Sequence, residues 1–237
     1  MPPAPVPPDA RPEHCVRAVE DLLGSLATQL ASASAVVAAE LPRDDGVAPT
    51  AQEVLTVAQA PTREVLDDPR VLGAGFVAHP DLAVDATYLL AWWQGEQRDR
   101  ITESAALSRS VDYRTKEWFT APLDSGAAHV TGPYVDYVCT DEVVVTVTTP
   151  VVAPDRVLGV MGADVLADTV ERELGGVFAA AGTCLVNARD RVVVAGPARV
   201  FAGDALGPED REGTRLRCGD LPLWVVVCAW PGGRERS

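Results

Sequence analysis

The residue with the clearest potential for chemistry is Asp164, an acidic side chain at the end of an apolar segment. In a strand over Val157–Asp164 its carboxylate shares one face with Val160 and Gly162. An unpaired buried charge is very costly, so such a carboxylate needs a cationic partner, and a ligand ammonium group would supply one. The alternative is structural, because Asp is a preferred N-cap residue and Asp164 would cap a helix that begins at Val165.

Two adjacent aromatic residues, Trp118 and Phe119, are the second candidate group. They can form an apolar wall with one polar handle, the indole N–H. Small-ligand pockets usually combine apolar walls with a few convergent polar groups. The alternative is that the two rings are plain core.

Motifs for catalysis, cofactor binding and metal binding are missing from the sequence. None of His14, His79 and His129 has a second histidine at metal-ligand spacing. There is no phosphate-binding loop, no G-x-S-x-G nucleophile motif and no H-E-x-x-H zinc motif. We therefore expect no enzymatic activity, no cofactor and no metal. An enzyme with an unrecognised constellation is the weakest alternative.

Composition and charge restrict the partners and the location. The chain has 34 acidic and 20 basic residues, a formal net charge of -14, and no basic cluster that offsets it. Such a surface repels nucleic-acid phosphates and anionic lipid. No stretch approaches the roughly 20 apolar residues that span a bilayer, and no signal peptide is recognised. The five cysteines lack a CxxC motif, which predicts buried reduced thiols in a cytoplasmic protein.

Helices are predicted in the first 70 residues. An apolar stripe with spacings of three and four predicts a long helix over Pro12–Leu41. Thr50 and Glu53 have the spacing of a capping box, so a second helix begins there. We expect that helix to be interrupted near Pro61 and to end before Pro69. The stripe consists of Val16, Val19, Leu23, Leu26 and Leu30.

From residue 71 the apolar period becomes that of strands. Helical segments followed by meandering strands predict an α+β fold with an antiparallel sheet, not a doubly wound nucleotide-binding sheet. The predicted strands are Val71–Ala78, Tyr88–Gln94, Glu142–Val152, Val157–Asp164, Thr183–Asn187, Arg191–Ala195 and Leu223–Ala229, and the two further helices are Glu117–Leu123 and Val165–Phe178.

The order of three motifs resembles the Cache family of ligand sensors, which are PAS-like domains also called PDC-type. Asp112–Phe119 reads D-Y-R-T-K-E-W-F, where family members often read D-x-R-x-R-x-W-Y. Gly132–Asp136 reads G-P-Y-V-D, an apolar strand follows, and Gly159–Asp164 reads G-V-M-G-A-D. The resemblance covers residues 70–178 and implies a PAS-like sheet with a long N-terminal helix and a short additional β region.

The resemblance also implies a ligand site. In amino-acid-binding members the second arginine and nearby aromatic residues hold the ligand carboxylate, and the last aspartate and a tyrosine hold the ammonium. Here Lys116 replaces the arginine, Phe119 replaces a tyrosine, and Val111 stands where a tyrosine is usual. A lysine pairs only as a point charge, so an amine or another small carboxylate is an alternative ligand. The implied site consists of Lys116, Trp118, Phe119, Tyr134 and Asp164. The alternatives are that Lys116 is solvent-exposed and that Tyr134 is a turn residue.

These observations lead to one expected organisation. Residues 1–8 form a disordered Pro-rich tail, 9–70 an N-terminal helical segment, 71–180 the Cache module, and 181–237 a C-terminal β extension or truncated second module. We expect a free-standing sensor that binds a small polar metabolite, an amino acid or related amine, and signals to a separate output protein such as a transcription regulator. A homodimer through Pro12–Leu41 is expected, because its stripe exceeds what one small sheet can cover. A ligand-free dimerisation scaffold is the alternative.

Overall fold

The computed structural model describes residues 11–41, 47–80, 82–94, 99–100, 112–137, 140–197 and 200–228. It divides into two compact units, one of Ser25–Leu166 and one that joins Met1–Gly24 to Ala167–Ser237. The predicted domain boundaries after residues 8, 70 and 180 stay predictions. The predicted disordered tail, residues 1–8, lies outside the described residues.

The predicted long helix is present in three consecutive pieces. Helix α1 is Pro12–Val19, a π-helical turn covers Glu20–Gly24, and helix α2 is Ser25–Glu40. The predicted apolar stripe is largely buried within the chain, with Leu23, Leu26 and Leu30 at most 2% exposed. The apolar stripe on which the homodimer prediction was based is therefore covered within the chain. The homodimer stays a prediction.

The stretch Pro12–Glu40 is long and apolar enough to cross a membrane by length and composition, with a hydropathy of 1.5 in its best window. The prediction that no segment approaches this length is wrong, because residues 22–39 contain no charged side chain. Core helices of soluble proteins and signal sequences near the N-terminus pass the same test, and 39% of the window is buried. Ala33 and Val37 are among the buried residues of this helix.

Helix α3, Ala51–Val65, begins as predicted and continues further than predicted. Thr50 is its N-cap: its side chain accepts from the Glu53 N–H, and the Glu53 carboxylate accepts from the Thr50 N–H at 2.8 Å. The expected interruption at Pro61 is wrong, since the helix passes through this residue. Pro61 lies on the buried face of the helix with Ala58 and Val65, and their packing offsets the lost backbone hydrogen bond.

The larger unit is built around a six-stranded sheet. Its strand order is β3-β2-β1-β6-β5-β4, and every neighbouring pair is antiparallel. Helix α4 lies between β3 and β4 in the chain, and Gly126 ends it in the left-handed conformation. The elements are β1 Val71–Ala78, β2 Leu90–Gln94, β3 Asp99–Arg100, α4 Glu117–Ser125, β4 His129–Val135, β5 Val143–Val152 and β6 Val157–Leu166.

Three details of this sheet differ from the sequence-based expectation. Strand β2 begins at Leu90 instead of Tyr88, and β6 continues past Asp164 to Leu166. Strands β3 and β4 were not predicted, and Tyr134 belongs to β4 instead of to a turn. Gly132 and Pro133 within β4 interrupt the alternation by which strands are recognised, and this explains the omission.

The other unit contains the predicted C-terminal β region. It has a four-stranded antiparallel sheet in the order β8-β7-β10-β9. Helix α5 precedes this sheet and begins at Ala167, two residues later than predicted. The elements are α5 Ala167–Ala181, β7 Thr183–Asn187, β8 Val192–Ala195, the short helix α6 Pro208–Arg211, β9 Arg215–Arg217 and β10 Leu223–Val227.

Candidate functional site

Five adjacent strands of the larger sheet contribute one face to a cavity. The register aligns Thr146 with Asp164 and Thr148 with Gly162, so these four side-chain positions share a face. Strands β1 and β2 continue the same face. The empty volume of the cavity, solvent at its mouth included, is about 380 Å³. Its lining consists of Val77, Leu90, Trp92, Trp118, Tyr134, Asp136, Thr146, Thr148, Val160, Gly162 and Asp164.

A bulge in β4 turns Tyr134 towards this cavity. Thr131 pairs with Thr146, but Tyr134 then pairs with Val144, so β4 has one extra residue. Without it the side chain of Tyr134 would point to the opposite face of the sheet. Gly132 permits the bulge, because its φ of 113° suits glycine and an added Cβ would lie 2.7 Å from the Val144 carbonyl oxygen.

A chain of hydroxyl groups ends on the carboxylate of Asp164. The Thr146 hydroxyl donates to Asp164 Oδ1 at 2.6 Å, and Tyr134 Oη lies 2.8 Å from Thr146 Oγ1. A threonine hydroxyl has one hydrogen to donate. Since Thr146 gives it to Asp164, Tyr134 donates to Thr146. Both hydroxyl groups are thereby oriented towards a negative charge on Asp164.

Asp164 is an unusual carboxyl group, since it is 3% exposed. Burial raises the pKa of Asp164 to about 7, the hydrogen bond from Thr146 lowers it, and the nearby Asp136 raises it further. Asp136 is itself 5% exposed. In the part of the chain that the structure describes, no lysine, arginine or histidine lines the cavity. A bound cation would therefore stabilise the charged form of Asp164.

Aromatic rings and missing side chains shape the rest of the cavity. Trp92 crosses β1 over Gly75, where an added Cβ would lie 2.2 Å from the Ala91 carbonyl oxygen. At Gly162 an added Cβ would enter the space between Trp92 and Thr148. Trp118 on α4 packs against a cluster that includes Trp92. The two indole rings give the cavity the apolar walls that small-ligand sites usually have.

Two polar atoms at the cavity lack a partner among the described residues. Trp92 Nε1 and Thr148 Oγ1 are buried and make no hydrogen bond there, and both residues line the cavity. A buried polar group without a partner costs free energy. A ligand that accepts from the indole N–H and contacts the hydroxyl would recover part of that cost.

The structure brings together three of the five residues implied by the resemblance. Trp118, Tyr134 and Asp164 line the cavity. Phe119 is buried in the neighbouring core, in contact with Tyr113 at a ring distance of 4.9 Å. Lys116 is exposed and is the N-cap residue of α4. Neither Phe119 nor Lys116 lines the cavity.

The capping alternative for Asp164 is wrong. Asp164 lies within β6, paired with Gly73 and Thr146, and the next helix begins at Ala167. Sequence reasoning did not assign Thr146, Thr148 and Trp92 to the site. Two threonines on one face of the valine-rich β5 were an available signal, because hydroxyls at buried strand positions need partners.

Comparisons with known proteins identify the family and the folds that this chain resembles. Residues 62–172 match the family model "Methyl-accepting chemotaxis protein-like, first PDC sensor domain". The predicted resemblance to Cache (PDC-type) sensor domains is therefore confirmed. A comparison with curated proteins finds no significant match.

Solved structures of sensor domains have the same fold. The extracellular domain of the putative histidine kinase soHK1S-Z6 has a TM-score of 0.65 and 14% identity, covering 94% of this chain and 91% of that one. The ligand-binding domain of the Pseudomonas fluorescens chemoreceptor CtaA with L-valine has a TM-score of 0.60, 14% identity and coverages of 95% and 96%. The sensory domain of Campylobacter jejuni Tlp3 with isoleucine has a TM-score of 0.55 and 12% identity, covering 91% of this chain and 87% of that one. The predicted α+β, PAS-like fold is confirmed.

Proposed function

We propose that this chain senses a small metabolite that carries a protonated amine, an amino acid or a related amine. The observation that carries the proposal is the buried carboxyl of Asp164, which shares an aromatic-walled cavity with Asp136 and has no basic residue beside it in the described lining. A ligand ammonium group would pair with Asp164, and no cationic side chain in the described lining would compete with it. Charge-assisted hydrogen bonds of this kind are among the strongest in proteins.

The lining favours an amine over a zwitterion. An amino acid also brings a carboxylate, and the predicted partner for it, Lys116, is exposed and does not line the cavity. Neutral donors such as Trp92 Nε1 are the remaining partners for such a group within the lining. We therefore expect an amine to bind at least as tightly as the amino acid with the same side chain.

The proposal extends to the role of the chain in signalling. The sensor performs no chemistry on its ligand and transmits binding to a separate output protein, such as a transcription regulator. A cytoplasmic location follows from the composition and stays a prediction. Fusions to reporters that are active only inside or only outside the cytoplasm, joined to either end of the chain, would test the location.

A matched ligand series tests the proposed site. The series consists of three compounds with the same branched side chain. Isoamylamine carries only an amine, 4-methylpentanoate carries only a carboxylate, and leucine carries both groups. A ligand that binds only the folded protein raises its stability by roughly 2.7 kcal/mol at a hundredfold excess over Kd. We expect thermal shifts with the amine-bearing compounds of this and other side chains, and none with their carboxylate analogues.

The alternative function predicts a different result. A ligand-free dimerisation scaffold would show no shift with any amine, amino acid or carboxylate, and native mass spectrometry would detect no small molecule released from the purified protein. Shifts confined to the carboxylates would contradict the role given to Asp164.

A further inference from the structure

Two cysteines of the four-stranded sheet lie side by side. Cys184 is in β7, and Cys228 directly follows β10. Their sulfur atoms are 2.9 Å apart, closer than two non-bonded sulfur atoms normally approach. Cys184 is fully buried, whereas Cys228 is partly exposed.

The strand register explains why these two side chains meet. Cys184 pairs with Val226, and Cys228 follows two residues later. Side chains two residues apart in a strand share a face, so Cys228 is the diagonal neighbour of Cys184. The Cys228 N–H continues the ladder by donating to the Gly182 carbonyl at 3.4 Å. The two thiols are therefore held together by backbone pairing, and they lie 44 positions apart in the chain.

We propose that Cys184 and Cys228 are a disulfide-forming pair that closes by thiol–disulfide exchange. The partly exposed thiol, Cys228, attacks a low-molecular-weight disulfide such as oxidised glutathione, forms a mixed disulfide and releases one glutathione thiol. Cys184 then attacks the sulfur of Cys228 and releases the second glutathione thiol. The oxidant gains two electrons and the two cysteine protons, and one sulfur–sulfur bond of about 2.05 Å joins β7 to the end of β10.

The pair differs from the other described cysteines. Cys15 is buried and contacts the Thr183 hydroxyl at 3.4 Å, and Cys218 is fully buried. Cys139 lies outside the described residues. Unlike Cys228, Cys15 and Cys218 have no exposed surface. We therefore expect Cys184 and Cys228 to be oxidised selectively. The remaining three cysteines should stay reduced, as the sequence predicts.

Thiol counting on the full chain tests the proposal. The protein is equilibrated with oxidised glutathione, denatured, alkylated and weighed. We expect three of the five cysteines to be alkylated and peptide mapping to find Cys184 linked to Cys228. All five are alkylated after reduction. Because the bond closes a long loop of the unfolded chain, the oxidised protein should unfold several degrees higher than the reduced protein.

Two variants separate the pair from general effects of cysteine loss. Cys228→Ser should abolish the difference in unfolding temperature between oxidised and reduced protein, whereas Cys218→Ala should retain it even if its own stability is lower. Alkylation of all five thiols after oxidation, a stable glutathione adduct on Cys228, or a bond to any other cysteine would overturn the proposal. These outcomes do not depend on the ligand, so they leave the proposed sensing function to its own test.

Discussion

Asp164 links the fold to the proposed function through a single carboxyl group. It is placed by a strand, covered by the sheet and contacted by a threonine hydroxyl. Burial alone makes its charged form costly, and the proposed ligand offsets that cost. The same group therefore controls both affinity and stability, and each can be measured.

Replacing Asp164 by Asn should weaken binding of an amine by ten- to a hundredfold. The change keeps the shape of the side chain and removes its charge, and a lost charge-assisted hydrogen bond costs roughly 1.5–3 kcal/mol. Calorimetric titration of the amine found in the ligand series measures the effect. Asp168→Asn is the matched control, since Asp168 is exposed at the start of α5. Equal affinity in the two variants would remove Asp164 from the site.

The contribution of Asp164 to the stability of the unliganded protein should fall as the pH rises from about 4 to about 7. The pKa of Asp164 is raised from 3.8 to about 7 in the folded protein, so the folded state holds a proton that the unfolded state has lost in this range. This contribution of Asp164 is thus greatest at low pH and is lost as the pH passes the folded pKa. Affinity for an ammonium ligand should change in the opposite direction.

Urea unfolding between pH 4 and 8, with and without ligand, measures both trends for Asp164. The Asp164→Asn protein is the reference, because it lacks the titrating group. The contribution of Asp164 is the difference between the two pH profiles. Parallel profiles for the two proteins would contradict the raised pKa.

At the scale of the elements, the start of α3 allows a simple test of a sequence-based prediction. Thr50→Ala removes the side chain that accepts from the Glu53 N–H, and loss of such a cap costs about 1 kcal/mol of stability. Thr56→Ala is the control, since its exposed hydroxyl bonds only back to the Gln52 carbonyl within the helix. Denaturant unfolding should distinguish the two variants. Equal losses would show that the cap contributes nothing specific.

Elements with strong periodicity could be predicted from the sequence, and interrupted elements could not. The hairpin of β5 and β6 was found from its alternating valines, because a buried face fixes the period of a strand. Strand β4 was missed because a bulge at Gly132 breaks the period. The interruption expected at Pro61 did not occur, because tertiary packing outweighs local propensity.

The site could be predicted only in part for a related reason. Asp164 and Trp118 were found because each belongs to a recognisable motif, and Tyr134 was found through the resemblance alone. Lys116 is exposed and does not line the cavity. A motif gives the position of a residue along the chain but not the direction of its side chain. Thr146 contributes to the site through its hydrogen bond to Asp164, its neighbour on the adjacent strand. Such pairs depend on the strand register, which a single sequence does not reveal.

At the scale of the whole molecule, the burial of the long helix predicts two different outcomes for two apolar residues. Leu26 is 2% exposed and Val36 is 40% exposed. Leu26→Asp places a charge in the core and should lower the free energy of unfolding by several kcal/mol. Val36→Asp should change it by less than about 0.5 kcal/mol. Unfolding curves of both variants measure the difference.

The same pair of variants tests the homodimer. Light scattering should give about twice the chain mass of 25.0 kDa if the protein dimerises. A dimer that Val36→Asp dissociates without loss of stability would use the exposed side of the helix. A monomer at micromolar concentration would contradict the predicted dimer.

The extra residue in β4 has a consequence that is a matter of parity. Tyr134 faces Thr146 because one additional residue follows Thr131. The extra residue shifts the alternation of side chains between the two faces of the sheet by one position. Deleting Pro133 alone removes the extra residue and leaves Tyr134 two positions after Thr131, so Tyr134 should still pair with Val144 and keep its hydroxyl at the cavity. Deleting Gly132 and Pro133 together makes Tyr134 directly follow Thr131, and this should turn the Tyr134 hydroxyl away from the cavity. If the amine binds equally well to both deletion variants, the phase of β4 does not control the site.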